Sequence, residues 1–131
     1  MDQNIMMQAT QFQREHEELS EHLGIINQQI EELEQFGKQL TSMNGSKGKE
    51  LLAPVGKGVY AKTTLIEEKL LVQVGAGVMV KKTPDETRET IKGQLKRLLE
   101  LKVQYSAKLD QIQSQLQQMV MQMELMEDNL L

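Results

Sequence analysis

The sequence predicts an α+β fold in which a long antiparallel helical coiled coil carries two β-hairpins between its helices. Three observations predict it. Ile5, Phe12, Leu19, Ile26, Leu33 and Leu40 recur at every seventh position, with Ala9, His16, Leu23, Ile30 and Gly37 between them. Ile91, Leu95, Leu98, Lys102, Tyr105, Leu109, Ile112, Leu116, Met119, Met123, Met126 and Leu130 repeat the same alternation of three and four near the other end. The stretch between the two ladders is short, rich in Val, Leu, Lys and Gly, and follows a period of two. A stripe at mean spacing 3.5 runs along one side of a helix and has to be covered by a second helix, whereas a period of two belongs to a strand. One domain over 1–131 is expected, divided into an N-terminal coiled-coil helix (1–43), two β-hairpins (44–82) and a C-terminal coiled-coil helix (83–131).

The first helix is expected to start at Asp2 or Asn4, either of which can accept from the orphan N–H groups of a first turn. It is expected to end near Met43, because Asn44-Gly45 offers the left-handed conformation that closes a helix. The second helix has a stronger start signal. Thr83-Pro84-Asp85-Glu86 sets a hydroxyl at the cap, proline at the first helical position and glutamate at the third, the pattern of a capping box. At 1.5 Å per residue the two helices are roughly 60 and 70 Å long. Pairing within one chain places partners at positions summing to about 132 in an antiparallel register, with Leu40 opposite Ile91 and Phe12 opposite Met119. Lys102, the one charged residue on the seam, is expected to snorkel to water.

In the middle, Leu51–Val55 and Val59–Thr63 flank Gly56-Lys57-Gly58, and Lys69–Val74 and Val78–Lys81 flank Gly75-Ala76-Gly77. Two apolar runs joined through a three-residue glycine-containing loop read as a hairpin, so the middle holds two. Leu70, Val72 and Val74 share one face with Gln73 on the other, and Val78 and Val80 oppose Met79 and Lys81. Four strands from one chain can neither close a barrel nor hide both edges, so pairing with strands of other chains is expected. Leu51, Val55, Val59, Leu70, Val72, Val74, Val78 and Val80 are the candidate oligomerisation residues.

Seven of the nine methionines lie at the extreme ends of the chain: Met1, Met6, Met7, Met119, Met121, Met123 and Met126. Antiparallel pairing gathers them at one tip. Val120, Met121 and Leu125 fall off the second ladder, and Met6 and Met7 off the first. Methionine is unbranched and polarisable, so a surface of this kind adapts to many partner shapes. A coil that exposes extra apolar residues only at its free tip points to binding there. The candidate tip surface is Ile5, Met6, Met7, Val120, Met121, Met123, Leu125 and Met126.

Composition narrows the remaining classes. Aromatic residues make up 3% of the chain and there is no Trp, which argues against a compact aromatic core. Residues 1–43 carry eight acids and two bases, residues 44–83 three and seven, and residues 84–131 eight and six. Acidic ends and a basic middle lack the concentrated basic stripe of a nucleic-acid binder. With no Cys, neither a disulfide framework nor thiolate chemistry is available. No apolar run approaches the ~18 residues of a membrane span, and Met1-Asp2-Gln3-Asn4 is no basic leader, so a cytoplasmic protein without membrane contact is expected. His16 and His22 lack further ligands at helical spacing, and no metal is expected. Gly45–Glu50 fails as a phosphate loop: Met43 stands where the first glycine belongs, and Glu50 where Ser or Thr binds magnesium. Gly75-Ala76-Gly77 has Val80 in place of the third glycine and leads into a strand, so it fails as a dinucleotide fingerprint. No catalytic constellation emerges; neither an enzyme nor a cofactor is expected.

Gly48-Lys49-Glu50-Leu51-Leu52-Ala53-Pro54-Val55 resembles the Leu-x-Pro-aliphatic strand of the prefoldin family. Leu71-Val72-Gln73-Val74-Gly75-Ala76-Gly77-Val78-Met79-Val80-Lys81-Lys82 is similar to its Val-Gly-x-Gly-hydrophobic-x-Val stretch. Many relatives place Glu after that last valine, where this chain has Lys81 and Lys82. Two hairpins resemble the α class, since the β class carries one. The resemblance covers essentially the whole chain and implies a heterohexamer of two α-type and four β-type subunits. Its hairpins would form an intersubunit β-barrel from which six coils hang. Non-native polypeptide clients would be held at the coil tips without ATP and passed to a group II chaperonin. The alternative from the residues alone is a structural coiled-coil adaptor, a scaffold subunit of another complex with an ordinary closed tip.

Overall fold

A computed structural model describes residues 3–130, with side chains described as far as Asp128. The element order is α1 (Gln3–Ser42), β1 (Glu50–Gly56), β2 (Val59–Thr64), β3 (Leu70–Gly75), β4 (Val78–Lys82) and α2 (Pro84–Leu130). Asp2, one of the two expected caps of the first helix, lies outside the described residues, as does Met1. The chain divides into two compact units, one spanning Met1–Ile30 with Arg97–Leu131 and the other Glu31–Lys96.

The first unit is a pair of helical segments. Burial along it follows the ladders: Ile5, Ala9, Phe12, His16, Leu19, Leu23, Ile26 and Ile30 are covered wholly or in part on α1, as are Leu98, Tyr105, Leu109, Ile112, Leu116, Met119 and Met123 on α2. The segments run antiparallel. The His22 and Tyr105 ring centroids lie 6.1 Å apart, and nearer the chain termini Gln113 Nε2 stands 3.3 Å from His16 Nε2. The pairs fall about one and about one and a half helical turns from the predicted opposition. Among the described residues two ladder positions of this unit depart from the pattern: Lys102 is exposed, as expected of a seam lysine that snorkels, and Met126 is exposed as well.

The second unit joins the hairpins to the adjoining helix ends. Leu40 is its best-covered large side chain, at 1% exposure, with Ile91, Ser46 and Thr87 also buried. α1 closes through tightened turns, with Met43 N–H donating to Leu40 O and Asn44 N–H to Thr41 O, and Gly45 then takes a φ of 74°. At the start of α2 the Thr83 hydroxyl accepts from Glu86 N–H at 3.1 Å, which makes the cap side of the predicted box. Asp85 and Glu86 put negative charge on the first turn, where the helix dipole favours it.

The strands form two separate two-stranded sheets, β1-β2 and β3-β4. Each hairpin is tighter than the expected three-residue loop. Gly56 pairs with Val59 and Gly75 with Val78, which leaves two-residue turns at Lys57-Gly58 and Ala76-Gly77. Both residues of each turn have positive φ (49° and 79°, 49° and 76°), the condition for turns whose twist matches that of the strands. The register shifts before each turn leave Val55 and Val74 as the extra residues of β-bulges.

Candidate interaction surfaces

Two kinds of exposed apolar surface stand out, one on the hairpins and one on the paired helices. On the hairpins, strand register decides which side chains share a face, because residues directly opposite in an antiparallel pair lie on the same side. Val72 faces Val80, and the bulge at Val74 and the closing pair Gly75–Val78 extend the same side. Leu70, Val72, Val74, Val78 and Val80 therefore make one continuous aliphatic face. Leu70 and Val72 are half-covered, while Val74, Val78 and Val80 are exposed. In the other hairpin Leu51 lies opposite Thr63 and Ala53 opposite Ala61, with Val55 and Val59 continuing that side toward the turn. Leu51, Val55 and Val59 are all exposed.

The opposite faces hold further exposed apolar residues, of which only Met79 was placed there from the sequence. Leu52 sits opposite Lys62, Tyr60 opposite Pro54, Leu71 opposite Lys81 and Met79 opposite Gln73, and all four apolar side chains named first are exposed. The signal was present as consecutive apolar pairs, Leu51-Leu52 and Leu70-Leu71, which cannot both point to one side of a strand. Ile66, between the hairpins, is more exposed still. With two strands per sheet, every strand keeps one edge of N–H and C=O groups that its sheet does not pair.

Polar contacts set the hairpins within their unit. Glu68 Oε1 accepts from Gly45 N–H at 3.0 Å, tying the segment between the hairpins to the end of α1. Gly48 N–H donates to Leu65 O and Leu65 N–H to Lys49 O, extending the first hairpin's ladder. Lys82 Nζ donates to Thr90 Oγ1 on α2. Lys81 Nζ lies 2.9 Å from Glu67 Oε1, and that hydrogen bond, helped by the lysine charge, holds the Glu67 carboxyl below its ordinary value of 4.5.

On the helix pair, antiparallel packing brings the first turns of α1 and the last turns of α2 to the same end. Met6, Met7, Val120, Met121, Leu125 and Met126 are exposed there, while Ile5 and Met123 are half-buried on the seam. The eight residues of the candidate tip are thus brought together, six open and two engaged between the helices. One premise is corrected. Apolar exposure is not confined to the tip, because Ile25, Leu99, Leu101 and Val103 are also open, and Val103 at 69% equals Met7. These four sit one or two positions off the seam, where a two-helix pair offers no cover. In the second unit Phe36 is similarly open.

The surroundings of the histidines are structural. His16 is half-buried beside the Gln113 amide, and Tyr105 stands between His22 and Lys108, whose Nζ is 5.8 Å from the ring centre. Among the described residues no helix is long and apolar enough to cross a membrane.

Comparison with known proteins bears on the whole arrangement. Residues 9–126 match the family model described as prefoldin subunit. Prefoldin subunit alpha of Methanosphaera stadtmanae is 25% identical over 89 residues, 68% of this chain, and the chain spans just under two thirds (64%) of that relative. Prefoldin subunit alpha of Methanosarcina barkeri is 30% identical over 112 residues, covering 81% of this chain and 77% of the relative. In structure, a chain of filamentous PFD from Methanocaldococcus jannaschii, solved by cryo-EM, superposes with a TM-score of 0.73 at 20% identity, covering 85% of this chain and 93% of that one. Helix, hairpin, hairpin, helix is therefore an experimentally known fold, and this chain belongs to the prefoldin family, among relatives named as alpha subunits.

Proposed function

We propose that this chain is the α-type subunit of an ATP-independent co-chaperone, assembled through its hairpins and capturing non-native polypeptides at the paired helix ends. The observation that carries the reading is the set of off-seam apolar side chains there. Met6, Met7, Val120, Met121 and Leu125 are exposed although holding the two helices together does not require them. Burying each against a client is worth roughly 1–2 kcal/mol by area, and several ends acting together add avidity without a deep pocket. The unpaired strand edges and the two aliphatic hairpin faces support joining to β-type subunits, two α with four β, in a barrel built between chains. Delivery to a group II chaperonin in the cytoplasm, in a role without catalysis, cofactor, nucleic acid or membrane, completes the proposal, and family membership supports it.

A second reading, a structural adaptor, is favoured by Ile25 and Val103, which are open away from the helix ends. One assay separates the two. The chain is co-expressed with the β-type subunits of its source, its mass is taken under native conditions, and the complex is added to a denatured test protein without nucleotide. Suppressed aggregation by an α2β4 complex supports the co-chaperone. A complex that forms but leaves aggregation unchanged supports the adaptor.

A further inference from the structure

We propose that Met6, Met7, Met121 and Met126 form an oxidation site whose conversion to sulfoxide switches off polypeptide capture. The inference rests on reading the paired helix ends as the client surface. It starts from what the chain offers an oxidant. There is no Cys and no Trp, so thioethers are the softest nucleophiles present. Access then selects among them. Met119 and Met123 are half-buried on the seam and Met43 is half-covered at the end of α1, whereas Met6, Met7, Met121 and Met126 have half or more of their surface open. Met79 on β4 is the one other exposed methionine among the described residues, and it lies in the other unit. The oxidisable sulfur is therefore concentrated on the surface whose work depends on being apolar.

The chemistry needs one co-reactant, a peroxide. The sulfur lone pair attacks one peroxide oxygen, the O–O bond breaks and an S–O bond forms. After proton transfer water leaves, with sulfur oxidised by two electrons and the peroxide reduced by two. The product keeps the shape of the side chain but ends in a polar, strongly accepting oxygen. An adaptable apolar contact becomes a group that must be desolvated when a client covers it. On a helix exterior the oxygen stays in water, so the helices lose nothing. The change is reversible: a methionine sulfoxide reductase supplied with a dithiol returns the thioether, releasing water and leaving the dithiol as a disulfide.

The test uses the assembled complex, treated with hydrogen peroxide and freed of it before assay. Sulfoxides are located by peptide mass spectrometry, and each protein is compared with its own untreated form. Suppression of aggregation of a denatured protein by the parent complex is expected to fall about tenfold, the ratio that follows when a few apolar contacts weaken together. Native mass and helix content stay as they were, and reductase treatment restores capture. A complex carrying Met6→Leu, Met7→Leu, Met121→Leu and Met126→Leu is expected to keep most of its own untreated capture, although Met79 and the partner subunits are still oxidised. Undiminished capture by a parent complex with sulfoxide at all four positions overturns the proposal. So does an equal loss in the leucine complex, which places the sensitive group elsewhere. An unoxidised complex with serine or glutamine at these four positions separates the two readings. Full capture by that complex removes the client surface itself, whereas weak capture beside an oxidation-resistant parent removes only the switch.

Discussion

Arg88 on α2 donates from its guanidinium to the Thr41 hydroxyl on α1 at 3.0 Å, and the same guanidinium is paired with Asp85 one turn away. Thr41 in turn donates to Gly37 O, so a short polar chain crosses between the helices beside the buried Leu40. The side-chain bond between the helices is charge-assisted and only partly shielded, so its net worth is about 1 kcal/mol. Arg88→Met and Thr41→Val in a double-mutant cycle are expected to show a coupling of that size in thermal or urea unfolding of the complex. Leu40→Ala removes the best-covered large side chain and is expected to cost about 2–5 kcal/mol. A coupling near zero would show that the polar chain merely accompanies the leucine packing.

The hairpin turns give a second prediction. Ala76 holds a φ of 49° next to Gly77, and for a residue with a side chain that conformation costs about 1–2 kcal/mol. Nothing stands within 4 Å of a side-chain carbon added at Gly77, so crowding is not what requires glycine there; its φ of 76° is. Ala76→Gly is therefore expected to stabilise the hairpin by up to about 1 kcal/mol, and Gly77→Ala to destabilise it by about the same. Amide hydrogen exchange of the β3-β4 pair reads both. Equal protection in the two variants would mean that the turn conformation does not limit opening.

What the sequence did and did not reveal follows from what repeats. The seam was legible almost residue by residue, because a stripe sustained over about six heptads leaves little freedom in which positions are covered. Met126 escaped because the pattern cannot tell where the partner helix stops covering it. The bulges at Val55 and Val74 were invisible, since apolar alternation does not say which residue of a strand goes unpaired. Alternation within each strand was readable, yet only the observed register merges Leu70, Val72 and Val74 with Val78 and Val80. The exposure of Ile25 and Val103 was not legible, because a ladder specifies which side chains are covered and leaves the cover of off-seam apolar residues open.

The Lys81–Glu67 pair predicts a pH response of definite sign. The lysine lowers the Glu67 carboxyl in the folded chain, so whatever the pair contributes is fully present above the unfolded value and is lost as pH falls through the lowered folded one. Both side chains are well exposed, so the effect is small and screened by salt. In a carbon-detected titration Glu67 should titrate below 4.5 in the parent and move up toward that value in Lys81→Gln. An unchanged titration would mean that the pair does not persist in solution.

Assembly provides a prediction that distinguishes the two faces of one hairpin. Val80 lies opposite Val72 on the aliphatic face, whereas Leu71 and Lys81 share the other. If the aliphatic face is covered by other subunits, Val80→Asp buries an unpaired charge and costs several kcal/mol, and Leu71→Gln does not. Native mass should show the complex lost in the first variant and kept in the second, with circular dichroism reporting intact helices in both. Loss of assembly in Leu71→Gln alone would reverse the faces.

The exposed residues away from the helix ends make the sharpest test of where clients bind. Ile25 and Val103 are as open as the methionines of the tip, so exposure alone does not single out the tip. Number does: Met6, Met7, Val120, Met121, Leu125 and Met126 are all exposed on the first turns of α1 and the last turns of α2, so that one end offers a flexible chain several contacts at once. Methionine adds adaptability that β-branched Ile and Val lack. Replacing Met6, Met7, Val120, Met121 and Leu125 with Ser or Gln is expected to lower suppression of aggregation at least tenfold, since a few contacts of roughly 1 kcal/mol each are lost together. Ile25→Gln with Val103→Gln is expected to change it less than twofold, near the size of an ordinary surface substitution. Helix content and native mass should be unchanged in both variants. A larger loss from the Ile25 and Val103 pair would move the client surface to the flank of the helices, away from their ends.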